Sequence, residues 1–402
     1  MNNDRRATAA ILAAAAILMV TQGVRLSMGL FVSPLNTSTG LGIATVSFAF
    51  AVGQIGWGAV QPFAGAIADR HGPAGVLVGG MLLLALGLAI TPFMGSGPGL
   101  VLSLGVLAAV GSGAGSFSVL IGTAVQGVPA QRRARASAVV NAGGSLGQFV
   151  FAPLAEKLIQ LFAWTGALTA LAGISLAAVA LVRPLARGQP ARRAPPAGST
   201  GAWNAVRASM GDGSYLLLHA GFFTCGFHTA FLVTHLPGEV SLCGLPASVA
   251  SWSLAIIGLA NTAGILALGL FTSRYRTKYV LAAMYASRAV LVAAYLVSPR
   301  TSLTFYLFAF GLGLTWLATV PATATLVGKL FEGRYLATLF GLTLLSHQVG
   351  SFLGAWLGGV ALSRMGSFQW IWYTDIALAA MAALVNLPIR EARMPAPDAI
   401  AA

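Results

Sequence analysis

The stretch GAIADRHG, residues 65–72, is a short polar break between two long apolar runs at about 43–68 and 74–95. Each run is long enough to cross the hydrocarbon core of a bilayer as a helix, since one crossing takes about 20 apolar residues. Similar apolar runs around short polar breaks recur along the whole 402-residue chain. The pattern predicts a polytopic α-helical membrane protein.

The composition excludes an ordinary soluble protein. Hydrophobic residues make up 57% of the chain and charged residues 8%, whereas about a quarter of the residues of a soluble domain are charged. The mean hydropathy is +0.82. Twelve membrane spans are predicted, at about 8–35, 43–68, 74–95, 98–126, 136–157, 161–182, 214–237, 246–272, 279–298, 301–328, 335–362 and 368–388.

The basic residues are distributed unevenly between the two predicted sides of the membrane. Of the 23 Lys and Arg residues, only Lys157, Arg300 and Arg364 fall on one side, and Arg25 and Arg288 fall inside spans. The positive-inside rule therefore places both termini in the cytoplasm, with the protein in the cytoplasmic (inner) membrane. Because the basic residues are scattered through the loops, we expect no binding of nucleic acid.

The chain divides into two similar halves. The polar stretch 183–213 is rich in Pro, Gly, Ser and Arg, which predicts a cytoplasmic linker between residues 1–182 and 214–402. Shifting the sequence by about 203 residues places Arg25 on His228 and keeps several other matches in order. We expect two pseudo-symmetric six-helix bundles that face each other.

Gly65, Asp69, Arg70 and Gly72 match the G-x-x-x-D-R-x-G signature of the major facilitator superfamily, and the chain is identified as a member. The resemblance implies a secondary transporter that works by alternating access. At the end of a helix, Asp69 and Arg70 are predicted to form a conformational latch, with the two glycines permitting close helix approach. The alternative is a solvated pair of loop residues.

A narrower resemblance concerns two short stretches. GVRLSMG at 23–29 and LSHQVG at 345–350 are similar to bacterial relatives of the monocarboxylate and oxalate:formate transporters. This resemblance implies a small organic anion, a carboxylate, as the substrate. Members of that group commonly carry a cationic residue in span eight, where this chain has Asn261.

Arg25 is the main candidate for binding this anion. It lies about 14 residues into the first span, roughly 20 Å deep, where a guanidinium needs a polar partner. With Glu156 and Glu239 at the outer ends of helices, Asp375 is the only acid left in the interior of a predicted span, so two cations, Arg25 and Arg288, share at most one buried carboxylate. We expect Arg25 to hold the substrate anion, although it could instead bond backbone carbonyls or neighbouring Gln and Ser side chains.

Arg288 and Asp375 are expected to pair with each other. Arg288 lies in span nine, which is peripheral in this fold type, and the two residues differ by only about 5 Å in predicted depth. The sequence therefore predicts a structural ion pair between them.

Other polar side chains inside spans complete the predicted substrate site, each with interhelical hydrogen bonding as the alternative. They are Gln54, Trp57, His228, Asn261, His347 and Gln348. The two histidines could carry protons during transport, or they could be neutral hydrogen-bonding residues.

The sequence predicts neither enzymatic activity nor a cofactor or metal. The match of residues 143–147 to G-x-S-x-G lies within an apolar helix rather than at a strand-to-helix turn, and no Walker-type loop is present. The expected function is proton-coupled or exchange transport of a small organic anion by a monomer in contact with lipid. The alternatives are a proton-driven drug or metabolite efflux pump and a transporter-like membrane sensor or scaffold.

Overall fold

The structure, a computed structural model, describes residues 3–126, 128–186, 206–331 and 336–391. Within these ranges the chain forms helices joined by short turns, with no strand, as the predicted all-α fold class requires. Residues 187–205, most of the predicted linker, lie outside the described residues, so the linker boundaries stay a prediction.

Among the described residues, nine α-helical segments belong to the first half. They are α1 (Asn3–Ser27), α2 (Val32–Thr39), α3 (Ile43–His71), α4 (Pro73–Ile90), α5 (Gly97–Leu100), α6 (Ala109–Ala114), α7 (Phe117–Gln126), α8 (Ala130–Ala177) and α9 (Val182–Ala186). Three short 3₁₀ turns and a π-helical segment, Val101–Ala108, extend these helices or join consecutive ones.

The second half contains longer helices. They are α10 (Gly213–Leu242), α11 (Ala247–Arg274), α12 (Thr277–Val297), α13 (Ser302–Thr315), α14 (Thr319–Leu330), α15 (Leu336–Met365) and α16 (Gln369–Asn386). Asp212 begins α10 by accepting hydrogen bonds from the backbone N–H groups of Ser214 and Tyr215, as an N-cap carboxylate does.

Nine helical stretches of the described residues are long and apolar enough to cross a membrane. One of them, Arg135–Leu185, is 51 residues long, about twice a single crossing. It is interrupted at Ala163, whose φ of 55° and ψ of 177° are not helical, a few residues after the predicted turn. Helices α15 and α16 cover the last two predicted spans but are not among the nine, so the count of twelve crossings stays a prediction.

The two halves repeat the same helix packing. In the first half, Gly147 of α8 packs directly against the backbone carbonyl of Met19 on α1. In the second half, Gly350 of α15 packs in the same way against the carbonyl of Phe223 on α10. Because a Cβ at either glycine would overlap the facing carbonyl, only glycine permits these approaches. The pseudo-symmetry expected from the sequence shift is present in the packing.

The fourth helical stretch of each half is broken near its middle. Helices α6 and α7 separate at Gly115, whose carbonyl accepts a 2.9 Å hydrogen bond from Thr21 of α1. Helices α13 and α14 separate between Thr315 and Thr319. A break leaves backbone groups without helical partners, and in a membrane other protein groups must satisfy them.

The two bundles contact each other near the middle of their helices and toward one end. We call the end at which α3 ends and α10 begins the linker end. Toward the opposite end, Phe48 of α3 lies with its ring centroid 5.9 Å from that of Phe352 and 5.8 Å from that of Trp356, both on α15. In the half nearer the linker end, glycines of both bundles face open space, because an added Cβ would meet no atom within 4 Å, and four of them lie on α3, α7, α11 and α15. They are Gly65, Gly122, Gly269 and Gly341. We call this arrangement linker-open.

A charged cluster joins three helix ends of the second bundle at the linker end. Glu391, which follows α16, accepts hydrogen bonds from the backbone N–H groups of Thr277 (3.0 Å) and Lys278 (2.9 Å) at the start of α12. Its carboxylate also lies 2.6 Å from Nζ of Lys329 at the end of α14. Burial raises the pKa of this carboxyl, but the N–H bond from Lys278 and the Lys329 ammonium outweigh that effect and lower the pKa overall. Sequence reasoning missed Glu391 because its partners are more than sixty residues away.

Replacing Glu391 with glutamine is expected to lower the unfolding free energy by about 2 kcal/mol at neutral pH, because charged hydrogen bonds are lost. Since the pKa of Glu391 is lower in the folded state, its contribution is present at neutral pH and lost as the pH falls through that lowered value. Thermal unfolding of the purified protein at neutral and acid pH would measure this. Asp212→Asn removes the charge of the half-buried partner of the exposed Arg390 but keeps the side-chain oxygen that accepts the N-cap hydrogen bonds. It is the control and should change stability little.

Candidate functional site

Arg25 of α1 contacts two of the predicted site residues. Its Nη2 atom donates a 2.5 Å hydrogen bond to Oε1 of Gln54, and its guanidinium carbon lies 4.1 Å from the ring centroid of Trp57. Gln54 and Trp57 are three residues apart on α3, so they lie on the same face of that helix. The structure therefore brings together three residues that the sequence assigned to one site.

Gln348 extends this cluster to the second bundle. On α15, it packs against Gly58, the residue that follows Trp57 on α3. Its side chain is buried, and neither its Oε1 nor its Nε2 atom has a hydrogen-bond partner among the described residues. The indole N–H of Trp57 is also without an acceptor there. Arg25, Gln54, Trp57 and Gln348 form what we call the Arg25 cluster.

Arg25 lies one turn before a point of contact with the second bundle, and the cavity beside it lies within the first bundle. Gly29, one turn further along the chain, packs against the carbonyl of Val233 on α10, so this face of the first helical stretch meets the second bundle. A cavity of about 50 Å³ lies beside Arg25 among α1, α3, α4 and α6, and its lining is apolar except for Arg25, Gln54 and Ser112. One water occupies about 10–15 Å³ by the same measure, so the cavity has room for about four water-sized groups.

No carboxylate lies against Arg25 among the described residues. The ion pairs found there join Asp375 to His228, Glu391 to Lys329 and Asp212 to Arg390. Arg25 instead bonds the neutral amide of Gln54, which is the kind of contact that the sequence left open as its alternative role. The positive charge of this guanidinium is therefore not balanced locally by the part of the chain that the structure describes.

Asn261 lies at a different point of contact between the bundles. Its Nδ2 atom donates a 2.9 Å hydrogen bond to Oγ of Ser145 on α8, and its Oδ1 atom accepts one of 2.9 Å from the backbone N–H of Leu317. Leu317 belongs to the break between α13 and α14, so Asn261 links that break to the first bundle. The sequence assigned no binding role to Ser145. The hydropathy pattern also gave no sign that α8 and α11 are in contact.

The structure corrects the ion pair expected between Arg288 and Asp375. Arg288 of α12 donates from Nη2 to the carbonyls of Thr315 (2.5 Å) and Trp316 (2.8 Å) and from Nη1 to Sγ of Cys225 (3.3 Å). The broken helix between α13 and α14 exposes these carbonyls, and they take up the guanidinium instead of a carboxylate.

Asp375 of α16 is paired with His228 of α10 instead. Its Oδ2 atom lies 2.6 Å from Nδ1 of His228, and both side chains are fully buried within the second bundle. His228 therefore does not lie in the Arg25 cluster, although the shift that aligns the halves made it the counterpart of Arg25. Matching depth predicted proximity, but it could not predict which face of each helix the side chain occupies.

His347 precedes Gln348 on α15 but points into the second bundle. Its ring centroid lies 4.8 Å from that of Phe222 on α10, and its Nδ1 atom lies 3.4 Å from Oγ of Ser351. Of the seven predicted substrate-binding residues, His228, Asn261 and His347 thus lie outside the Arg25 cluster in this structure.

The predicted latch residues lie at the linker end of α3. Gly72 separates α3 from α4 with a φ of 86° and a ψ of 155°, a conformation that favours glycine. Arg70 is exposed and Asp69 half-buried, and neither forms an ion pair with another described residue. Gly65 faces open space in the linker-open arrangement.

A family model described as Major Facilitator Superfamily matches residues 11–242 and 240–402. The chain belongs to the major facilitator superfamily. The family match covers both halves of the chain, in agreement with two similar bundles. The D-xylose-proton symporter has the same fold, with a TM-score of 0.71 over 96% of each chain at 14% sequence identity.

Named relatives include carboxylate transporters. Monocarboxylate transporter 13 of Rattus norvegicus is 27% identical over 85% of this chain and 78% of the rat protein. The oxalate:formate antiporter of Oxalobacter formigenes is 24% identical over 92% of this chain and 87% of that protein. The resemblance to this branch, first noted from two short stretches, is confirmed at modest identity. Members of the superfamily are transporters rather than enzymes, so this chain is a membrane transporter.

Proposed function

We propose that this transporter moves a small organic anion, a carboxylate, across the cytoplasmic membrane by alternating access. The single observation that carries the proposal is Arg25, a guanidinium deep in the first helical stretch without a carboxylate partner among the described residues. A guanidinium at that depth is costly unless an anion or a polar cavity compensates it. A substrate carboxylate would supply the missing negative charge.

The donors around Arg25 suit a carboxylate. The planar guanidinium presents parallel N–H groups that match two carboxylate oxygens. The Trp57 indole N–H, on the residue that packs against the guanidinium, has no acceptor among the described residues; the polar residues that line the cavity beside Arg25 are Arg25 itself, Gln54 and Ser112. The cavity of about 50 Å³ has the size of a short carboxylate, since it holds about four water-sized groups. The names of the two relatives, a monocarboxylate transporter and an oxalate:formate antiporter, support the same substrate class.

A panel of ligands tests the proposal on purified protein. Formate, oxalate and lactate, each at neutral and mildly acid pH, would be compared with lipophilic amines for their effect on thermal unfolding. We expect at least one carboxylate to raise the unfolding temperature, because a ligand that binds only the folded state stabilises it. Stabilisation by amines alone would support drug or metabolite efflux instead.

Flux separates a transporter of that anion from a sensor or scaffold. Proteoliposomes loaded with the stabilising carboxylate should take up the same radiolabelled anion by counterflow. Binding of the anion without any counterflow would contradict the proposed transport and support a sensor or scaffold.

Both termini are proposed to lie in the cytoplasm, which would make the linker end the cytoplasmic face. The support is the bias of Lys and Arg toward that end, against only Lys157, Arg300 and Arg364 on the opposite side. A green fluorescent protein fused to the C-terminus should fluoresce, and an alkaline phosphatase fused there should be inactive. The reverse result would overturn the orientation.

Asp69 and Arg70, with Gly65 and Gly72, are proposed to form a latch that holds the linker end closed in the other state of the transport cycle. Asp69 and Arg70 form no ion pair with any part of the chain that the structure describes, which supports this, because a latch should be released when the linker end is open. Asp69→Asn should slow counterflow by about five- to thirtyfold, the factor for 1 to 2 kcal/mol. His71→Asn is the control, because His71 is an exposed residue only two positions after Asp69. Equal counterflow rates for the two variants would contradict the latch.

A further inference from the structure

We propose that His228 and Asp375 form a proton-binding site inside the second bundle, in which the proton binds to Nε2 of His228. The inference rests on the proposed anion transport, since it identifies the group that would couple that transport to protons. Both side chains are fully buried, and Nδ1 of His228 lies 2.6 Å from Oδ2 of Asp375. The pair is separate from the Arg25 cluster.

The hydrogen bond determines which nitrogen is free. A carboxylate oxygen accepts hydrogen bonds, so Nδ1 of the imidazole carries the proton that it donates to Asp375. Nε2 of the neutral ring then keeps its lone pair, and this atom has no partner among the described residues. Oδ1 of Asp375 is likewise unpartnered there. The pair therefore has an open acceptor position on a histidine that is otherwise held in one tautomer.

Proton uptake at this position is balanced in charge. The Nε2 lone pair accepts a proton from a hydronium ion, which leaves as water, and the neutral imidazole becomes an imidazolium. The pair changes from one net negative charge to none, so the proton-loaded form is the less costly one to bury in an apolar interior. Histidine is suited to this step because its ordinary titration range includes physiological pH.

Other charged or titratable groups lie on the helix of His228 itself and on neighbouring helices of the second bundle. Cys225 lies one turn before His228 on α10, Arg288 and Tyr285 lie on α12, and His347 lies on α15. Arg288 donates to the Trp316 carbonyl, and the Trp316 ring centroid lies 6.0 Å from that of His228.

His235 on the same helix shows the arrangement of a structural histidine. Its Nε2 atom bonds the backbone carbonyl of Ala355 at 2.7 Å, and it forms no ion pair with a described carboxylate. That nitrogen must therefore carry a proton permanently as a donor. The position of the carboxylate on Nδ1 and the open Nε2 distinguish His228 from it.

The site lies next to the break between α13 and α14, which is linked to the first bundle by hydrogen bonds. Trp316, which packs near His228, is followed by Leu317, whose N–H bonds Asn261. Asn261 in turn bonds Ser145 of the first bundle. A change in charge at His228 thus occurs beside a structural link between the bundles, where it can bias their relative arrangement.

The test compares His228→Gln, Asp375→Asn and the control His219→Gln in proteoliposomes with radiolabelled oxalate. His219 lies on the same helix, but its Nδ1 atom contacts the hydroxyl of Ser346 rather than a carboxylate. We expect both site variants to keep counterflow within about twofold and to lose at least about tenfold in accumulation driven by a proton gradient, a loss of about 1.4 kcal/mol of coupling. The control should keep both activities.

The outcomes separate this inference from the proposed function. Gradient-driven accumulation by the site variants equal to that of the parental protein would overturn the proton site and leave anion transport standing. Absence of counterflow for oxalate, formate and lactate in the parental protein would overturn the proposed function instead. In that case, a pH-indicator dye decides the proton site in detergent, where His228→Gln should take up fewer protons on acidification than the parental protein. Equal uptake would overturn it.

Discussion

Replacing Arg25 with alanine is expected to lower carboxylate counterflow by about a hundredfold. A charge-assisted hydrogen bond contributes about 1.5–3 kcal/mol, and a carboxylate bound by two guanidinium N–H groups would lose both bonds and the ionic attraction. Arg25→Lys keeps the charge but not the planar fork, so we expect a loss of about tenfold. Counterflow of radiolabelled oxalate, formate and lactate into proteoliposomes, with thermal shifts by the same anions, measures both effects.

Arg364→Ala is the matched control for this prediction. Arg364 is exposed at the end opposite the linker, so its removal changes the net charge equally but leaves the Arg25 cluster intact. Folding of each variant is checked by its thermal unfolding without ligand. A well-folded Arg25→Ala protein that exchanges a carboxylate at the parental rate would contradict the assignment of Arg25 to the substrate.

If Gln54 and Trp57 position the guanidinium of Arg25, replacing either of them should lower carboxylate counterflow less than Arg25→Ala does. Gln54 accepts from Nη2 and Trp57 covers one face of the guanidinium, so together they limit the directions in which the remaining N–H groups can point. The two contacts leave the charge itself uncompensated, because an amide oxygen and an aromatic face are neutral. This arrangement orients a cation without neutralising it, as a site for an anionic ligand requires.

Replacing Arg288 with methionine is expected to destabilise the protein by about 3 kcal/mol or more. The guanidinium of Arg288 is nearly fully buried and bonds two carbonyls at the break between α13 and α14. Methionine fills similar volume but donates no hydrogen bond, so it leaves buried acceptors unsatisfied at about 1–3 kcal/mol each. The midpoint of thermal unfolding in detergent, followed by circular dichroism, measures the loss.

Arg288→Lys and Arg364→Met are the comparison variants for the Arg288→Met experiment. Lysine keeps a donor that reaches one carbonyl at a time, so an intermediate loss is expected. Arg364→Met removes an arginine from an exposed position and should change the unfolding temperature little. Parental stability in Arg288→Met would contradict the role of Arg288 as the group that satisfies the broken helix.

The corrected pairings have a common physical origin. Depth along a helix follows from counting residues at 1.5 Å each, and the predicted depths of Arg288 and Asp375 were close. An ion pair also requires that the two helices be neighbours and that both side chains face each other. Successive residues are rotated by about 100° around a helix axis, so the facing direction changes with every residue. In addition, the break between α13 and α14 leaves backbone carbonyls that accept hydrogen bonds from Arg288. Counting the acidic residues of the sequence could not predict these acceptors.

The superfamily signature and the repeated series of apolar runs in each half, unlike these pairings, could be predicted from the sequence. They depend on residues that are adjacent in the chain, so they appear in a single sequence without knowledge of the packing. The repeated glycine contacts, Gly147 on Met19 and Gly350 on Phe223, show the same packing in each half, with α8 on α1 and α15 on α10.

The amino-acid sequence by itself determined the helical membrane class, the division into similar halves and Arg25 as a cation without an evident acid, because hydropathy, spacing and composition are properties of the chain alone. Only the tertiary structure decided that Arg25 meets Gln54 and Trp57, that Asp375 meets His228, that Arg288 serves a broken helix and that Glu391 joins three helix ends. These contacts depend on helix rotation and on neighbours distant in the chain, which a local pattern does not encode.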